Sequence, residues 1–339
     1  MSEALFRSVT ARVGAPVLSS GDFARLGALR EVLPRSFTAY YVECRLERGA
    51  TRVDLLAGTT AKRELRKELA ASTRATHASA RWQALRRLVD GWCDVSELAT
   101  IPCLWIELDD VAAPSSEEAL SLAVCLDRGY PQTTDHGPGN LALAERAIDQ
   151  LADAEVARQR AALSRYFAAL PERGRVIHLS PMIGRFGAPL KIYGRVPLEA
   201  LGAFLQRAGW GGSASQVEFL QRAVWAPAST SPDVFFDVAV GCDGPPTIAV
   251  VFSPLELRAC GDAADRQRNE LLRRLTELGL CDPDKAGALA HWVGDERLPD
   301  PSVPWPCRVE RWLDLKVVCE PNRTSAKAYL GFRAYRTLF

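Results

Sequence analysis

Two similar segments carry the clearest pattern of the chain: Leu190-Lys191-Ile192-Tyr193-Gly194-Arg195 and, near the C-terminus, Ala326-Lys327-Ala328-Tyr329-Leu330-Gly331-Phe332-Arg333. In a β-strand, successive side chains point to opposite faces. Each stretch, taken as a strand, places lysine, tyrosine and arginine on one face and mainly apolar side chains on the other. The same division recurs in nearly every strand-like segment of the chain. The sequence therefore predicts a sheet with one covered apolar face and one shared face that is polar, cationic and lined with aromatic rings.

The strand-like segments form five pairs, and helical segments separate each pair from the next. The predicted strand pairs are 38–47 with 52–57, 101–109 with 119–127, 175–182 with 190–196, 234–240 with 247–252, and 308–318 with 326–335. The predicted helical segments are 21–33, 62–88, 141–170, 198–208, 216–223, 266–278 and 283–292. The proline-rich stretch 298–306 is expected to be a loop, and 321–324 a hairpin turn.

About ten antiparallel strands with helices on one face can form a closed or an open sheet. An open sheet leaves an exposed edge at each end, whereas a closed barrel has none and can enclose a ligand cavity. We therefore predict an α+β protein, a closed antiparallel barrel built from αββα repeats inside a ring of helices. An open sheet with one wetted face is the alternative. The polar face of the strands would line the lumen of the barrel.

Composition limits the classes of function. The chain has 339 residues, of which 47% are hydrophobic, and we interpret residues 1–339 as one domain. A net charge of +1 argues against a nucleic-acid-binding protein. The nine cysteines show no paired or zinc-like spacing, the N-terminus has no apolar signal segment, and no apolar run is long enough for a membrane span. These features predict a cytoplasmic protein without a membrane partner, and the richness in alanine and arginine indicates a bacterial origin.

The predicted barrel resembles the ABBA-type aromatic prenyltransferases, whose lumen strands carry Lys-x-Tyr pairs that hold a prenyl diphosphate. Lys191-Ile192-Tyr193 and Lys327-Ala328-Tyr329 look like such strands, each in the second strand of a predicted hairpin. The cyanobactin-type peptide prenyltransferases, which are similar in length, are the closest analogy. The resemblance implies transfer of a dimethylallyl or longer prenyl group to an aromatic or peptide side-chain acceptor, in the tailoring of a small molecule or a ribosomal peptide.

The chemistry that this resemblance implies assigns roles to the lumen residues. Fixed cations and hydroxyls would hold the diphosphate, and aromatic rings would shield the allylic cation and bind the acceptor. The expected diphosphate-binding residues are Lys191, Tyr193, Arg195, Lys316, Lys327, Tyr329 and Arg333. The expected aromatic and acceptor-binding residues are Tyr41, Trp105, His178, Phe235 and Trp312. Glu107, and after it Glu43, is the candidate base for the proton that the acceptor loses.

Some alternatives stay open at this point. The lumen cations could pair with aspartates instead of a ligand, and the expected partners are Asp54, Asp127, Asp237 and Asp314. In that case the barrel could be a binding or accessory protein without transfer activity. No motif in the sequence requires a cofactor, although Asp109 could bind Mg²⁺ together with the diphosphate. Because a lumen cation that faces water contributes little to the core, we expect Lys191→Ala and Lys327→Ala to weaken binding of the prenyl diphosphate and to leave the fold intact.

Overall fold

The structure is a computed structural model that describes residues 1–73, 79–95, 97–109, 120–126, 139–151, 156–157, 159–183, 190–221, 232–240, 247–252, 261–320 and 323–336. Within these ranges, eleven strands form one antiparallel sheet. They are β1 (Ala39–Arg45), β2 (Val53–Thr59), β3 (Leu104–Leu108), β4 (Leu120–Cys125), β5 (Arg175–Pro181), β6 (Leu190–Pro197), β7 (Asp233–Val240), β8 (Thr247–Phe252), β9 (Gly294–Leu298), β10 (Cys307–Glu320) and β11 (Arg323–Arg336).

The sheet closes because β11 pairs with β10 on one side and with β1 on the other. Strands β1 to β8 follow one another in sequence order, and β8 pairs with the second half of β10. Ten strands therefore form a closed ring, which confirms the predicted barrel in place of the open sheet. The remaining strand, β9, pairs with the first half of β10 and extends the sheet at that point.

Ten α-helices lie in the described ranges. Their bounds are Glu3–Thr10, Ser20–Val32, Lys62–Ala71, Ala80–Asp94, Gly139–Leu151, Arg160–Ala169, Leu201–Arg207, Ala214–Glu218, Asp262–Glu277 and Pro283–Ala290. Among the described residues, the predicted segment 62–88 overlaps the helices Lys62–Ala71 and Ala80–Asp94, and the predicted segment 141–170 overlaps Gly139–Leu151 and Arg160–Ala169. The helix Glu3–Thr10 was not expected. Local chemistry sets several of the starts; Ser19 and Asp22, for example, form a reciprocal capping box at the second helix. Among the described helices, none combines the length and the apolar character that crossing a bilayer requires.

The helices cover the outer, apolar face of the barrel. Phe6 of the first helix contacts Tyr40 of β1 and Phe332 of β11, with ring centroids 5.5 Å from each. Phe204 packs in the same way on Phe236 of β7, at 4.8 Å. These rings are buried, and burying such a side chain stabilises the fold by about 1.5–3 kcal/mol. The core therefore lies between the barrel and the helices, and the polar face of the strands is left to line the lumen.

One irregularity changes which residues of β5 face the lumen. The register of β5 against β6 shifts between Val176 and His178, so that Arg175 lies opposite Arg195 and His178 lies opposite Tyr193. Strict alternation would place Arg175 on the outer face, with Ile177. The bulge adds one residue to β5 and brings Arg175 to the same face as Arg195.

Candidate active site

Glu43 lies on the lumen face, where β1 meets its two neighbouring strands. Its partners in the register are Asp54 of β2 and Tyr329 of β11. Only 1% of Glu43 is exposed, and Lys327 Nζ donates a hydrogen bond to its Oε1. Glu43 is thus a buried carboxylate that is held by a buried ammonium group.

Three lysines set the charge of Glu43. Burial by itself raises the pKa of this carboxyl, but Lys327, Lys191 and Lys316 lower it, and the net result is a pKa well below the usual value. For Lys327, burial lowers the pKa, Glu43 raises it, and the two other lysines lower it further, so that the net change is downward. The three lysines, which come from β6, β10 and β11, therefore act on one point of the lumen.

Each of the three lysines has a carboxylate partner. Lys327 pairs with Glu43, and Lys316 pairs with Asp237 of β7. Lys191 Nζ lies 3.5 Å from Glu107 Oε2 across the lumen. The structure therefore shows the three lysines ion-paired inside the barrel, which is one of the alternatives that the sequence left open. Of their three carboxylate partners, only Asp237 is among the four aspartates expected.

The other expected aspartates have different surroundings. Asp54 contacts Arg52, with Nε 3.2 Å from Oδ1, and Asp314 accepts a hydrogen bond from the hydroxyl of Tyr41 at 2.9 Å. Asp127 lies outside the described residues. In the three ion pairs described above, the carboxylate partner of the lysine is therefore neither Asp54 nor Asp314.

Three adjacent strands carry cations side by side on the lumen face. In the register, Lys327 of β11 lies opposite Arg45 of β1 and also opposite Lys316 of β10. Like charges directly opposite each other destabilise a sheet. Glu43 and Asp237 offset this repulsion. The cation row, by which we mean Arg45, Lys327 and Lys316, is therefore a place where a further anion would find several cations already arranged.

An aromatic wall stands on the same face of the sheet. Tyr41 is at its centre, with its ring centroid 5.3 Å from Trp105, 5.5 Å from Trp312 and 6.2 Å from Tyr329. The indole N–H of Trp312 donates to the Tyr41 hydroxyl at 2.8 Å. Aromatic residues from the first, second and last hairpins are thus in mutual contact.

Two glycines leave room for the indole rings of this aromatic wall. Gly58 lies opposite Trp105 in the register and Gly331 opposite Trp312. A Cβ atom on Gly58 would meet the Trp105 ring at 2.7 Å, and one on Gly331 would collide with the Trp312 ring. Each indole therefore lies over a glycine, in space that no other residue type would leave open.

A second aromatic group lies on strands β5 to β7. The Tyr193 ring is 5.4 Å from His178 and stacks on Phe235 at 6.1 Å between centroids. The structure therefore divides the expected acceptor-binding side chains between two groups. Tyr41, Trp105 and Trp312 form the first, with Tyr329, and His178 and Phe235 form the second, with Tyr193.

The two arginines among the expected diphosphate ligands lie apart from the lysines. Arg333 is exposed, bonds to Glu310 at 2.9 Å and lies over the rings of Trp312 and Tyr335. Arg195 lies 3.7 Å from Asp233. Of the seven expected ligands, the structure brings together Lys191, Lys316, Lys327 and Tyr329, and it does not bring the two arginines to the same point.

Carboxylates that could hold a metal ion are close together in the lumen. One carboxylate oxygen of each of Glu43, Asp54 and Glu107 lies within 4.8 Å of the other two. Carboxylate oxygens are the ligands that Mg²⁺ prefers, although lysines already pair with two of these three groups. Asp109, the residue expected from the sequence, has Oδ1 3.5 Å from Arg52 Nη2. A metal role for Asp109 stays a prediction, and the three clustered carboxylates are a set that the sequence did not single out.

Sequence reasoning missed several residues of this lumen. Arg45 was not among the expected site residues, and its position in the cation row depends on the pairing of β1 with β11. Arg175 was missed because of the bulge. Asp237 was expected only as one of several counter-ions. Burial raises the pKa of Asp237, but Lys316 and Lys191 outweigh burial, and the pKa is lowered overall.

Solved structures of known proteins share this barrel. The prenyltransferase PriB, in its apo form, is 19% identical, with 98% of this chain and 95% of PriB covered and a TM-score of 0.56. A 6-dimethylallyltryptophan synthase from Micromonospora olivasterospora, in complex with DMASPP and Trp, is 14% identical, with 97% of each chain covered and a TM-score of 0.55. AnaPT from Neosartorya fischeri is 13% identical, with 87% of this chain and 78% of AnaPT covered and a TM-score of 0.54.

No protein-family model matches the sequence, and no curated protein matches it. At these identities the likeness to solved structures concerns the fold. It confirms that the chain has the ABBA-type prenyltransferase barrel that the sequence predicted.

Proposed function

We propose that this barrel transfers a prenyl group from its diphosphate to an aromatic acceptor in the lumen. The observation that carries the proposal is the cation row of Arg45, Lys327 and Lys316, which shares the inside of a closed barrel with the wall of Tyr41 and Trp105. This arrangement offers the two things that ionisation of an allylic diphosphate requires. One is a fixed set of positive charges for the leaving anion, and the other is a set of π faces for the cation.

In this proposal the diphosphate replaces carboxylates as the counter-ion of the lysines. Glu43 and Asp237 hold Lys327 and Lys316 in place before the donor binds. A diphosphate that accepts hydrogen bonds from the same ammonium groups would relieve the repulsion between neighbouring cations. Tyr329, whose hydroxyl lies 3.4 Å from Lys316 Nζ, would donate a further hydrogen bond.

The exchange of partners would also prepare a base. While Lys327 is bound to Glu43, the pKa of this carboxyl is low, and the group is a weak proton acceptor. When Lys327 binds the donor instead, it no longer opposes the effect of burial on Glu43 as strongly. The pKa of Glu43 then rises. Glu107 is paired with Lys191 at 3.5 Å and would lose this partner if the donor also took over Lys191. Either carboxylate could then accept the proton that the acceptor loses after attack on the allylic cation.

The acceptor belongs, in this proposal, to the class of aromatic compounds, either a small molecule or an aromatic side chain of a peptide. The support is the double set of rings, around Tyr41 and around Tyr193, which lines the lumen with π faces. One of the similar solved structures holds Trp together with DMASPP, and tryptophan is therefore the first acceptor to test. We also propose a cytoplasmic location, since the seven cysteines in the described ranges are free thiols.

The proposal is tested by incubating the purified protein with dimethylallyl or geranyl diphosphate and tryptophan, tyrosine, simple indoles or short aromatic peptides. Prenylated acceptor, measured by mass spectrometry, is the expected product, and diphosphate is released in equal amount. The same reactions with Mg²⁺ and with EDTA determine whether the cluster of Glu43, Asp54 and Glu107 has to hold a metal ion. If the protein neither binds a donor nor forms product with any acceptor, the proposal is wrong.

A second candidate function, a binding or accessory protein without transfer activity, has one observation in its favour. The ion pairs of Lys191, Lys316 and Lys327 already balance these charges with the protein's own carboxylates. Titration with a non-hydrolysable prenyl thiolodiphosphate separates the two candidates. An accessory protein of this kind would bind the aromatic partner but not the diphosphate analogue.

A further inference from the structure

Two cysteines face each other where β3 and β4 meet at one end of the barrel. Cys103 directly precedes β3, and Cys125 is the last residue of β4. The amide of Cys125 donates to the carbonyl of Cys103 at 3.3 Å, which continues the ladder one residue beyond the pair of Leu104 and Val124. The two residues of a hydrogen-bonded pair in an antiparallel ladder have Cα atoms about 5.5 Å apart. This lies inside the range of about 4.4–6.8 Å that a disulfide bridges.

The thiols of this pair also interact. A hydrogen bond with the Cys125 thiol lowers the pKa of Cys103 and outweighs the burial that raises it, with a further contribution from Trp105. Another pair of neighbouring cysteines in the chain behaves differently. Burial raises the pKa of Cys44 to about 12 and that of Cys281 to about 11. Because the thiolate is the reactive form, the chemistry of Cys103 differs from that of this second pair.

Both cysteines lie on the lumen face of the ladder, because opposite residues share a face and Cys103 is two residues from Trp105. Cys103 is half-buried and Cys125 is buried. Cys125 lies opposite His178 in the register, and His178 contacts Tyr193. Cys103 is therefore the more accessible of the two cysteines to a small oxidant, and Cys125 lies beside the aromatic residues of the lumen.

We propose that Cys103 and Cys125 are a redox-active dithiol, which a low-molecular-weight disulfide such as oxidised glutathione converts into a disulfide across β3 and β4. The Cys103 thiolate attacks one sulfur of glutathione disulfide, and a glutathione thiolate leaves. The Cys125 thiolate then attacks the Cys103 sulfur of the mixed disulfide and displaces the second glutathione. The two cysteines lose two protons and two electrons, and glutathione disulfide takes up both to become two molecules of glutathione.

Formation of this disulfide requires only the fold and does not depend on the proposed transfer activity. Its effect on prenyl transfer would rest on the proposed function, since the cross-link joins the strand that carries Trp105 to its neighbour. The two questions are therefore measured separately, the disulfide by mass and the transfer by product formation.

The test treats the folded, full-length protein with oxidised glutathione, blocks the remaining thiols with N-ethylmaleimide, and maps the peptides by mass spectrometry. We expect a peptide pair linked through Cys103 and Cys125, with the loss of two hydrogen atoms, which dithiothreitol reverses. Cys44 and Cys281 should remain reduced under the same conditions. Cys93→Ser, which changes a half-buried cysteine elsewhere, should leave the link unchanged.

Single variants complete the test. Cys125→Ser should stop the reaction at a glutathione adduct on Cys103, because the resolving thiol is missing. Cys125→Ala repeats this measurement if the serine variant does not fold. The proposal is overturned if both thiols of the wild-type protein stay reduced, if Cys103 carries glutathione without a link to Cys125, or if the link joins other cysteines.

Discussion

Replacement of Lys327 by methionine should destabilise the protein, in contrast to the expectation that lumen cations contribute little to the fold. That expectation assumed that these cations face water, whereas Lys327 is 9% exposed and its partner Glu43 is 1% exposed. Removal of one member of a buried ion pair leaves an uncompensated buried charge and costs about 3–5 kcal/mol. We therefore expect Lys327→Met to lower the free energy of unfolding by about this amount at pH 7.

The dependence on pH distinguishes this cause from a general packing defect. In the wild-type protein the folded-state pKa of Glu43 is below that of an ordinary glutamate, which is 4.5. The stabilisation by the pair is therefore present above pH 4.5 and is lost as the pH falls through the folded-state pKa. In Lys327→Met the strongest opposing cation is gone, and burial raises the pKa of Glu43. The folded state then binds a proton more readily than the unfolded state, and the variant should gain stability relative to the wild type as the pH falls from 7 to 5.

The assay is urea denaturation followed by tryptophan fluorescence at pH 7 and pH 5. The double variant Lys327→Met, Glu43→Gln should recover most of the loss, because it no longer has a buried charge without a partner. Arg323→Met, which breaks an exposed ion pair with Glu47, is the matched control and should cost less than about 1 kcal/mol. An equal loss for Lys327→Met at both pH values, or no recovery in the double variant, would show that the unpaired Glu43 carboxylate is not the cause of the destabilisation.

Three further predictions concern the base, the barrel end and the aromatic wall. Glu107→Gln should retain donor binding but slow product formation by roughly 10²-fold or more, while hydrolysis of the donor continues. Parallel assays of prenylated product and released diphosphate measure both rates, and equal rates of product formation in variant and wild type would exclude Glu107 as the base. Lys285→Met removes the ammonium group that donates hydrogen bonds to three backbone carbonyls around the β1–β2 turn. It should lower the free energy of unfolding by about 1.5–3 kcal/mol in the same urea assay, whereas an unchanged unfolding midpoint would contradict this role of Lys285. Gly331→Ala places a methyl group where the Trp312 indole lies, and it should weaken acceptor binding but not donor binding in calorimetric titrations, while equal losses for both ligands would show a general distortion.

The barrel could be predicted from the sequence because alternation is a local property of each strand. Tyr41 and Glu43 face one side of the sheet and Val42 and Cys44 the other, because side chains alternate with a period of two residues along a strand. Closure of the sheet follows from the need to protect its edges. The strand Gly294–Leu298 was missed for a physical reason. Its residues Gly-Asp-Glu-Arg-Leu lack an apolar face, as is typical of a strand that pairs on one side only.

The contacts inside the lumen could be predicted only in part. Alternation placed Lys191 and Glu107 on the same face, but their contact crosses the barrel and depends on the stagger of all the intervening strands. The bulge in β5 had a similar effect on a smaller scale, since one added residue moved Arg175 to the lumen. A sequence pattern therefore indicates which side chains face the lumen, whereas closure of the sheet determines which of them meet.

Calorimetric titration with a prenyl thiolodiphosphate shows directly whether the lysines of the lumen bind a prenyl diphosphate. Lys191→Ala is the variant to compare with the wild type, because the Lys191 side chain is less buried than that of Lys327 and its carboxylate partner is 3.5 Å away. Circular dichroism of the variant controls for folding. We expect saturable binding to the wild-type protein and a loss of about 1.5–3 kcal/mol of binding free energy in Lys191→Ala. Absence of binding to the wild type, or unchanged affinity in a folded Lys191→Ala variant, would show that these lysines do not bind the diphosphate.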